Sequence, residues 1–267
     1  HGAGSFCSAP GGGDRASTIG RERATNPLLS MDEDDFVERL LAGLGSFPDY
    51  FRLLPSVNQH GLPLHDDVPA LAPLGLDAVD RLLADGAVVV DARKVVDSAA
   101  GHIPGSLSIE LRPVFASWLG WLTAPDQPVV VVLDDDQDEA DLVRQALTIG
   151  HDDLAGRLAG GIDTWIAAGR PLASTELIEP DAIDRPLLDI RQANEYAAGH
   201  VPDAVNIELG ALPEATVPDG PVATMCGKTE RAMTAASVLE RRGHRDVGVL
   251  RGGYNAWTAH HQATTAR

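Results

Sequence analysis

The residues best equipped for chemistry form one run near the carboxy terminus, Cys226-Gly227-Lys228-Thr229-Glu230-Arg231. They follow the apolar run Val222-Ala223-Thr224-Met225 and precede an amphipathic stretch. The cysteine is therefore expected at the carboxyl end of a β-strand, with a helix starting near Arg231. Such a strand–loop–helix turn gathers backbone N–H groups and the positive end of a helix dipole around the sulfur. Both favour a thiolate, so Cys226 is expected to titrate below the ordinary thiol value of about 8.5, and a persulfide on that sulfur would be stabilised the same way. Gly227 lets the chain turn, while Lys228 and Arg231 bring positive charge to an anionic substrate. Glu230 either opposes that charge or faces solvent. Cys226 is thus the candidate nucleophile, and Gly227, Lys228, Thr229, Glu230 and Arg231 are the candidate substrate-binding residues. A cysteine that merely capped a strand as a small buried hydrophobe would have no use for the glycine and the basic residues that follow.

The rest of the chain has to position that loop. With 267 residues, 44% of them apolar, there is enough sequence for two compact domains. Twenty-one Lys and Arg against 39 Asp and Glu give a formal charge of -18. That field repels polyanions, which argues against nucleic acid and anionic membranes as partners and makes a local positive site a requirement for any small anionic substrate. The two cysteines, Cys7 and Cys226, lie far apart and form no disulfide framework, which points to a reducing compartment. No apolar run approaches the roughly 20 residues that span a bilayer, and the amino terminus lacks a signal-peptide layout, so the expected location is the cytoplasm. The opening His1-Gly2-Ala3-Gly4-Ser5 reads like the middle of a longer sequence, and a domain fragment is expected.

Internal repetition sets the architecture. Val88-Val89-Val90-Asp91-Ala92-Arg93 followed by Gly101-His102-Ile103-Pro104 returns as Leu187-Leu188-Asp189-Ile190-Arg191 followed by Gly199-His200-Val201-Pro202, with the same interval from Asp to His. Val129 to Leu133, with a helical stretch ending at Gly150-His151, is echoed by Val222 to Cys226 and a stretch ending at Gly243-His244. Each copy closes with Gly-Gly-x-x-x-Trp: Gly160-Gly161 with Trp165, then Gly252-Gly253 with Trp257. Short β-type runs alternate with amphipathic stretches such as Ala140 to Leu147, the pattern of parallel βαβ units flanked by helices. The expected fold is α/β, with two homologous domains at 66–175 and 176–267. Ahead of them, Asn26 to Leu44 is expected to be helical, and Pro48 to Pro73 to be a linker of irregular pieces.

Both repeats resemble rhodanese domains. The second has Asp-x-Arg followed by Glu-Tyr-x-x-Gly-His-x-Pro (Asp189, Arg191, Glu195, Tyr196, Gly199, His200, Pro202), the Cys-x-x-x-x-Arg loop (Cys226, Arg231) and the closing Gly252, Gly253 and Trp257. The resemblance implies a sulfurtransferase that takes sulfur from thiosulfate or a persulfide donor onto Cys226 and passes it to cyanide, a thiol or sulfite. Asp189, Arg191 and Glu195 are expected to form a structural ion-pair cluster behind the loop. In the first repeat Leu133 stands in place of Cys226 and Asp138 in place of Arg231, so that domain is expected to be inactive, and its run Asp134-Asp135-Asp136-Gln137-Asp138-Glu139 reads as a solvated turn. Residues 1–65 are similar to the end of the metallo-β-lactamase-fold domain in proteins that fuse that fold to two rhodanese domains. The upstream His-x-His-x-Asp-His cluster of those relatives is missing here, so no metal centre and no cofactor are expected in this chain. Two other functions compete: a non-catalytic rhodanese interaction module attached to a hydrolase or dioxygenase, and a cysteine-loop phosphatase or arsenate reductase. The latter resembles a loop one residue longer, and Ala232 stands where its arginine would fall.

Overall fold

The computed structural model describes residues 16–42, 47–61, 67–152 and 154–265. His1 to Ser5 and Cys7 lie outside the described residues. The chain divides into two compact units, one reaching Phe47 and the other running from Pro48 onward.

In the first unit, α1 (Ile19–Thr25) is capped by Thr18, whose hydroxyl accepts from Arg21 N, and Asn26 caps a 3-10 turn over Pro27–Ser30. The helix α2 (Glu33–Ala42) then starts afresh, because Asp32 Oδ1 accepts from Asp35 N at 3.0 Å. The single helix expected from Asn26 is therefore broken in two by its own capping residue. The acidic first turn of α2, Glu33, Asp34 and Asp35, suits the positive end of the helix dipole.

The second unit opens with more order than a linker. A 3-10 turn over Asp49–Arg52 leads into α3 (Leu54–His60), and the Tyr50 ring lies against Gly120. The first repeat then runs through β1 (Pro73–Leu74), α4 (Leu76–Ala84), β2 (Val88–Asp91), α5 (Val95–Ala100), β3 (Leu107–Ser108), α6 (Phe115–Leu122), β4 (Val129–Val132), α7 (Glu139–Thr148), β5 (Leu154–Leu158) and α8 (Gly161–Ala167). The second has β6 (Glu176–Ile178), β7 (Leu187–Asp189), α9 (Ala193–Ala197), β8 (Val205–Asn206), β9 (Val222–Met225), α10 (Glu230–Arg241), β10 (Val247–Leu250) and α11 (Gly253–Thr265). Among the described residues each repeat makes a five-stranded parallel sheet, in the orders β1-β5-β4-β2-β3 and β6-β10-β9-β7-β8, which are the same topology twice. Val129 to Val132 are fully buried, as central parallel strands covered on both faces must be. No described helix is long and apolar enough to cross a membrane.

The helix after each central strand shows how the copies join. Along α10, the residues Ala232, Met233, Ala235, Ala236, Val238 and Leu239 are all buried. The helix packs on β9 and β10 of its own sheet and also on β3 of the first domain, where Ser108 N donates to Ser237 Oγ at 3.0 Å. Small alanine and serine side chains let it lie close to both. One apolar cluster accordingly includes Ile109, Phe115 and Leu119 of the first domain together with Leu209, Leu212, Met233 and Cys226 of the second.

Beside the central strand of each sheet is a buried ion pair. Asp91 and Arg93 are 0% and 4% exposed, and Arg93 gives Nε to Oδ1 at 3.0 Å, Nη2 to Oδ2 at 2.6 Å and Nη2 to Gly101 O at 2.7 Å. Removing the charge of one partner strands the other in the core. The substitution Asp91→Asn is expected to lower unfolding free energy by about 3–5 kcal/mol in a urea titration; a loss below about 1 kcal/mol would show that the pair is dispensable.

Candidate active site

Cys226 is the first residue beyond β9, at the carboxyl end of its sheet, and α10 begins at Glu230. The loop between them is fixed from outside. The amino-terminal turn of α11 supplies Tyr254 N to Cys226 O at 2.7 Å and Asn255 N to Gly227 O at 3.2 Å, and Gly252 N reaches Thr229 Oγ1 at 2.9 Å. Gly253, at φ +57°, allows this approach, since a Cβ there would fall on the carbonyl oxygens of Cys226 and Lys228. The repeated Gly-Gly was visible in the sequence as a motif. Its role as the seat of the cysteine loop was not, because that role depends on where α11 meets the loop.

Around the sulfur, the Arg231 guanidinium and the backbone amides of Lys228 and Ala232 all favour the anion, Ala232 being a contributor that the sequence did not single out. The expected drop in pKa is nonetheless absent. Cys226 is 1% exposed, and burial pushes its thiol up against the opposing pull of Arg231 and the two amides. The expectation from the sequence counted donors and left out the cost of desolvating the anion. It also took Arg231 as a free positive charge, whereas Glu195 neutralises it through Nη1 to Oε2 and Nη2 to Oε1, both at 2.8 Å.

That pairing divides the expected ion-pair cluster in two. Asp189 and Arg191 form the buried scaffold pair, with Nη2 to Oδ2 at 2.6 Å and Nη2 to Gly199 O at 2.8 Å, and the Arg191 guanidinium lies 4.2 Å over the Tyr254 ring. Glu195 instead grips the loop arginine while also accepting from Gln192 N at 3.1 Å in the cap of α9. Its hydrogen bond with Arg231 holds its carboxyl below the ordinary range.

Glu230 turns back to the loop, where Thr229 N donates to Oε2 at 3.2 Å. Burial disfavours this carboxylate, but its own N–H, that of Thr229, and Arg112 and Lys228 nearby outweigh the effect and hold it low. Thr229 and Glu230 border a cavity of about 310 Å³ whose other walls include Lys94, Glu110 and Arg251, so the first domain contributes to the space beside the loop.

The first domain shows what the frame does without the cysteine. Leu133 follows β4 and is buried, and Gly161 lies under its carbonyl as Gly253 lies under that of Cys226. Asp138 caps α7 by accepting from Asp141 N, so α7 starts later relative to Leu133 than α10 does relative to Cys226. The loop is filled from within: Gln137 Oε1 accepts from Asp134 N at 2.9 Å and its Nε2 donates to Ala92 O at 2.8 Å. Among the described residues there is no group of His, Cys, Asp and Glu that could hold a metal ion.

The paired sheets, the Asp-x-Arg scaffold and the cysteine loop seated on a Gly-Gly turn have their counterpart in one family. The rhodanese-like domain model matches residues 76–168 and 174–260, and the chain belongs to that family as a tandem pair. It is 32% identical over 82 residues to the thiosulfate sulfurtransferase GlpE of Pseudoalteromonas translucida, a match covering 30% of this chain and 78% of that one. It is 34% identical over 88 residues to the putative sulfurtransferase YtwF of Bacillus subtilis, covering 32% and 84%. Among solved structures, a metallo-beta-lactamase from Staphylococcus aureus matches at 26% identity with a TM-score of 0.45, over 60% of this chain and 43% of that one.

Two outcomes test this geometry. In Glu195→Gln, Arg231 keeps its place but loses its neutralising charge, so the midpoint of the pH dependence of Cys226 alkylation should fall; an unchanged midpoint would mean that Glu195 does not control the loop. Gly253→Ala should destabilise the protein more than Gly161→Ala in matched denaturation curves. Both positions have positive φ, but only at Gly253 does the added carbon land on two carbonyl oxygens, and equal losses would contradict the seat.

Proposed function

We propose that this protein is a sulfurtransferase in which Cys226 carries the sulfur and the second domain alone does the chemistry. The observation that carries the proposal is the position of Cys226 at the carboxyl end of β9, with Arg231 and the Lys228 and Ala232 amides favouring its anion, in a loop whose Thr229 and Glu230 border a cavity of about 310 Å³. Family membership and the activities named for its relatives support the same conclusion.

In the first half-reaction the Cys226 thiol gives up its proton to solvent. The thiolate attacks the sulfane sulfur of thiosulfate or a persulfide, so that a new S–S bond forms as the old one breaks, and sulfite or a thiolate leaves with the electron pair. In the second half a thiol, sulfite or cyanide attacks the outer sulfur and Cys226 departs as thiolate. The Lys228 and Ala232 amides serve the anion in both halves, since fixed dipoles require no reorganisation as charge develops. A persulfide also extends the negative sulfur outward from a buried position toward the loop donors. The cysteine-loop phosphatase alternative has less support, because Ala232 stands where the arginine of that longer loop would fall.

Incubation with thiosulfate should add one sulfur to the intact mass of the wild-type chain and none to Cys226→Ser. An unmodified wild type across thiosulfate and a glutathione persulfide donor would leave only the interaction-module function. With the resting thiol raised by burial, the loading rate should climb with pH through and beyond the ordinary thiol range of about 8.5; a rate already level at pH 7 would contradict a raised thiol.

A further inference from the structure

Both repeats contain Gly-His-x-Pro, and the two histidines are used differently. His200 is exposed and stacks on Tyr196 with ring centroids 4.0 Å apart. His102 is 2% exposed and lies where the domains meet. Its backbone exchanges two hydrogen bonds with Ala173 in the segment joining the repeats, at 2.9 and 3.0 Å. Its ring Nδ1 is 2.8 Å from Ser98 O, and Nε2 is 2.8 Å from Glu240 Oε2 on α10. A carbonyl and an ionised carboxylate only accept, so this pair of hydrogen bonds is complete only when both ring nitrogens carry protons. The other Glu240 oxygen accepts from Gly105 N at 2.9 Å, and Arg241 Nη1 donates to Gly105 O at 2.6 Å. The Gly-His-x-Pro segment of the inactive domain thus clasps the last turn of the helix whose first turn holds Arg231.

The geometry points to a proton-operated latch, in which protonated His102 fixes α10 through Glu240 and loss of its proton loosens the domain interface and opens access to Cys226. Cys226 is 1% exposed and belongs to the same apolar cluster as Ile109 and Phe115 of the first domain, so the interface held by His102 is continuous with the packing around the sulfur. The charged groups facing His102 are Glu240 and Arg241 from α10 and Asp91 from β2, the last already committed to Arg93. His244 and Arg245 line the same groove of about 410 Å³ as Glu240.

The sign follows from the bonding. Burial disfavours the imidazolium, but Glu240 and the Ser98 carbonyl outweigh it and raise His102 above its ordinary value. Its contribution is complete below about pH 6.5 and lost as pH rises through the raised pKa. Burial likewise disfavours the Glu240 carboxylate, yet His102 and Gly105 N hold it low, so its contribution is present above about pH 4.3 and lost only in acid below that. The latch is closed in the window between and opens on the alkaline side.

The test uses the full chain. Nitrogen-15 NMR of the His102 ring should show both nitrogens protonated at pH 6, and iodoacetamide should alkylate Cys226 in His102→Asn and Glu240→Gln roughly tenfold faster than in wild type at the same pH. That gap should close as wild-type His102 deprotonates. A neutral ring at pH 6, or variants alkylated at the wild-type rate at every pH, would overturn the latch. Glu240→Gln keeps the shape of the interface and stands in if His102→Asn fails to fold. Alkylation requires only an accessible thiolate, so the result is independent of whether the protein transfers sulfur.

Discussion

The contact on which the site depends is the seating of the Cys226 loop on the first turn of α11. With Tyr254 N and Asn255 N bonded to the carbonyls of Cys226 and Gly227, the loop is held by its carbonyls on α11, while the Lys228 and Ala232 amides favour the anion at the sulfur. That hold is supplied by a segment far downstream in sequence, and it exists because Gly253 lets two backbones approach closely. A side chain there would rotate the loop and scatter the amides. The same seat under Leu133 in the first domain shows that it belongs to the frame of the fold, with a cysteine above it in only one copy.

The sulfur sits between two opposing effects. Donors favour the anion, while burial and the neutralisation of Arg231 by Glu195 favour the thiol, and in the resting protein burial prevails. For the proposed carrier role this balance has a use. A buried neutral thiol is protected from adventitious oxidation and alkylation, while the donor set waits for the charge that appears during transfer.

Most of the architecture was legible in the sequence because repetition and periodicity are local. The Val88, Val129 and Val222 runs became strands with Cys226 as the first residue after the last of them, and the Ala140 to Leu147 stretch became α7 with slightly wider bounds. The misses all involve partners distant in sequence or competing local signals. Asp32 recapped a helix that apolar spacing alone had continued, and Tyr50 drew a proline-rich stretch onto α6. Glu195 sits in the same short motif as Asp189 and Arg191, yet it pairs with Arg231, because α9 brings it over the loop. The thiol pKa depended on burial, which residue types near Cys226 do not encode. The expectations for His1 to Ser5 and Cys7 concern positions outside the described residues.

The most direct measurement of the central claim is a crystal structure of the protein after treatment with thiosulfate. The account predicts a second sulfur bonded to Cys226 Sγ, within hydrogen-bonding distance of the Lys228 and Ala232 amides, with the Tyr254 and Asn255 bonds to the loop intact. A loop that has left α11, or an extra sulfur lodged away from those amides, would contradict it.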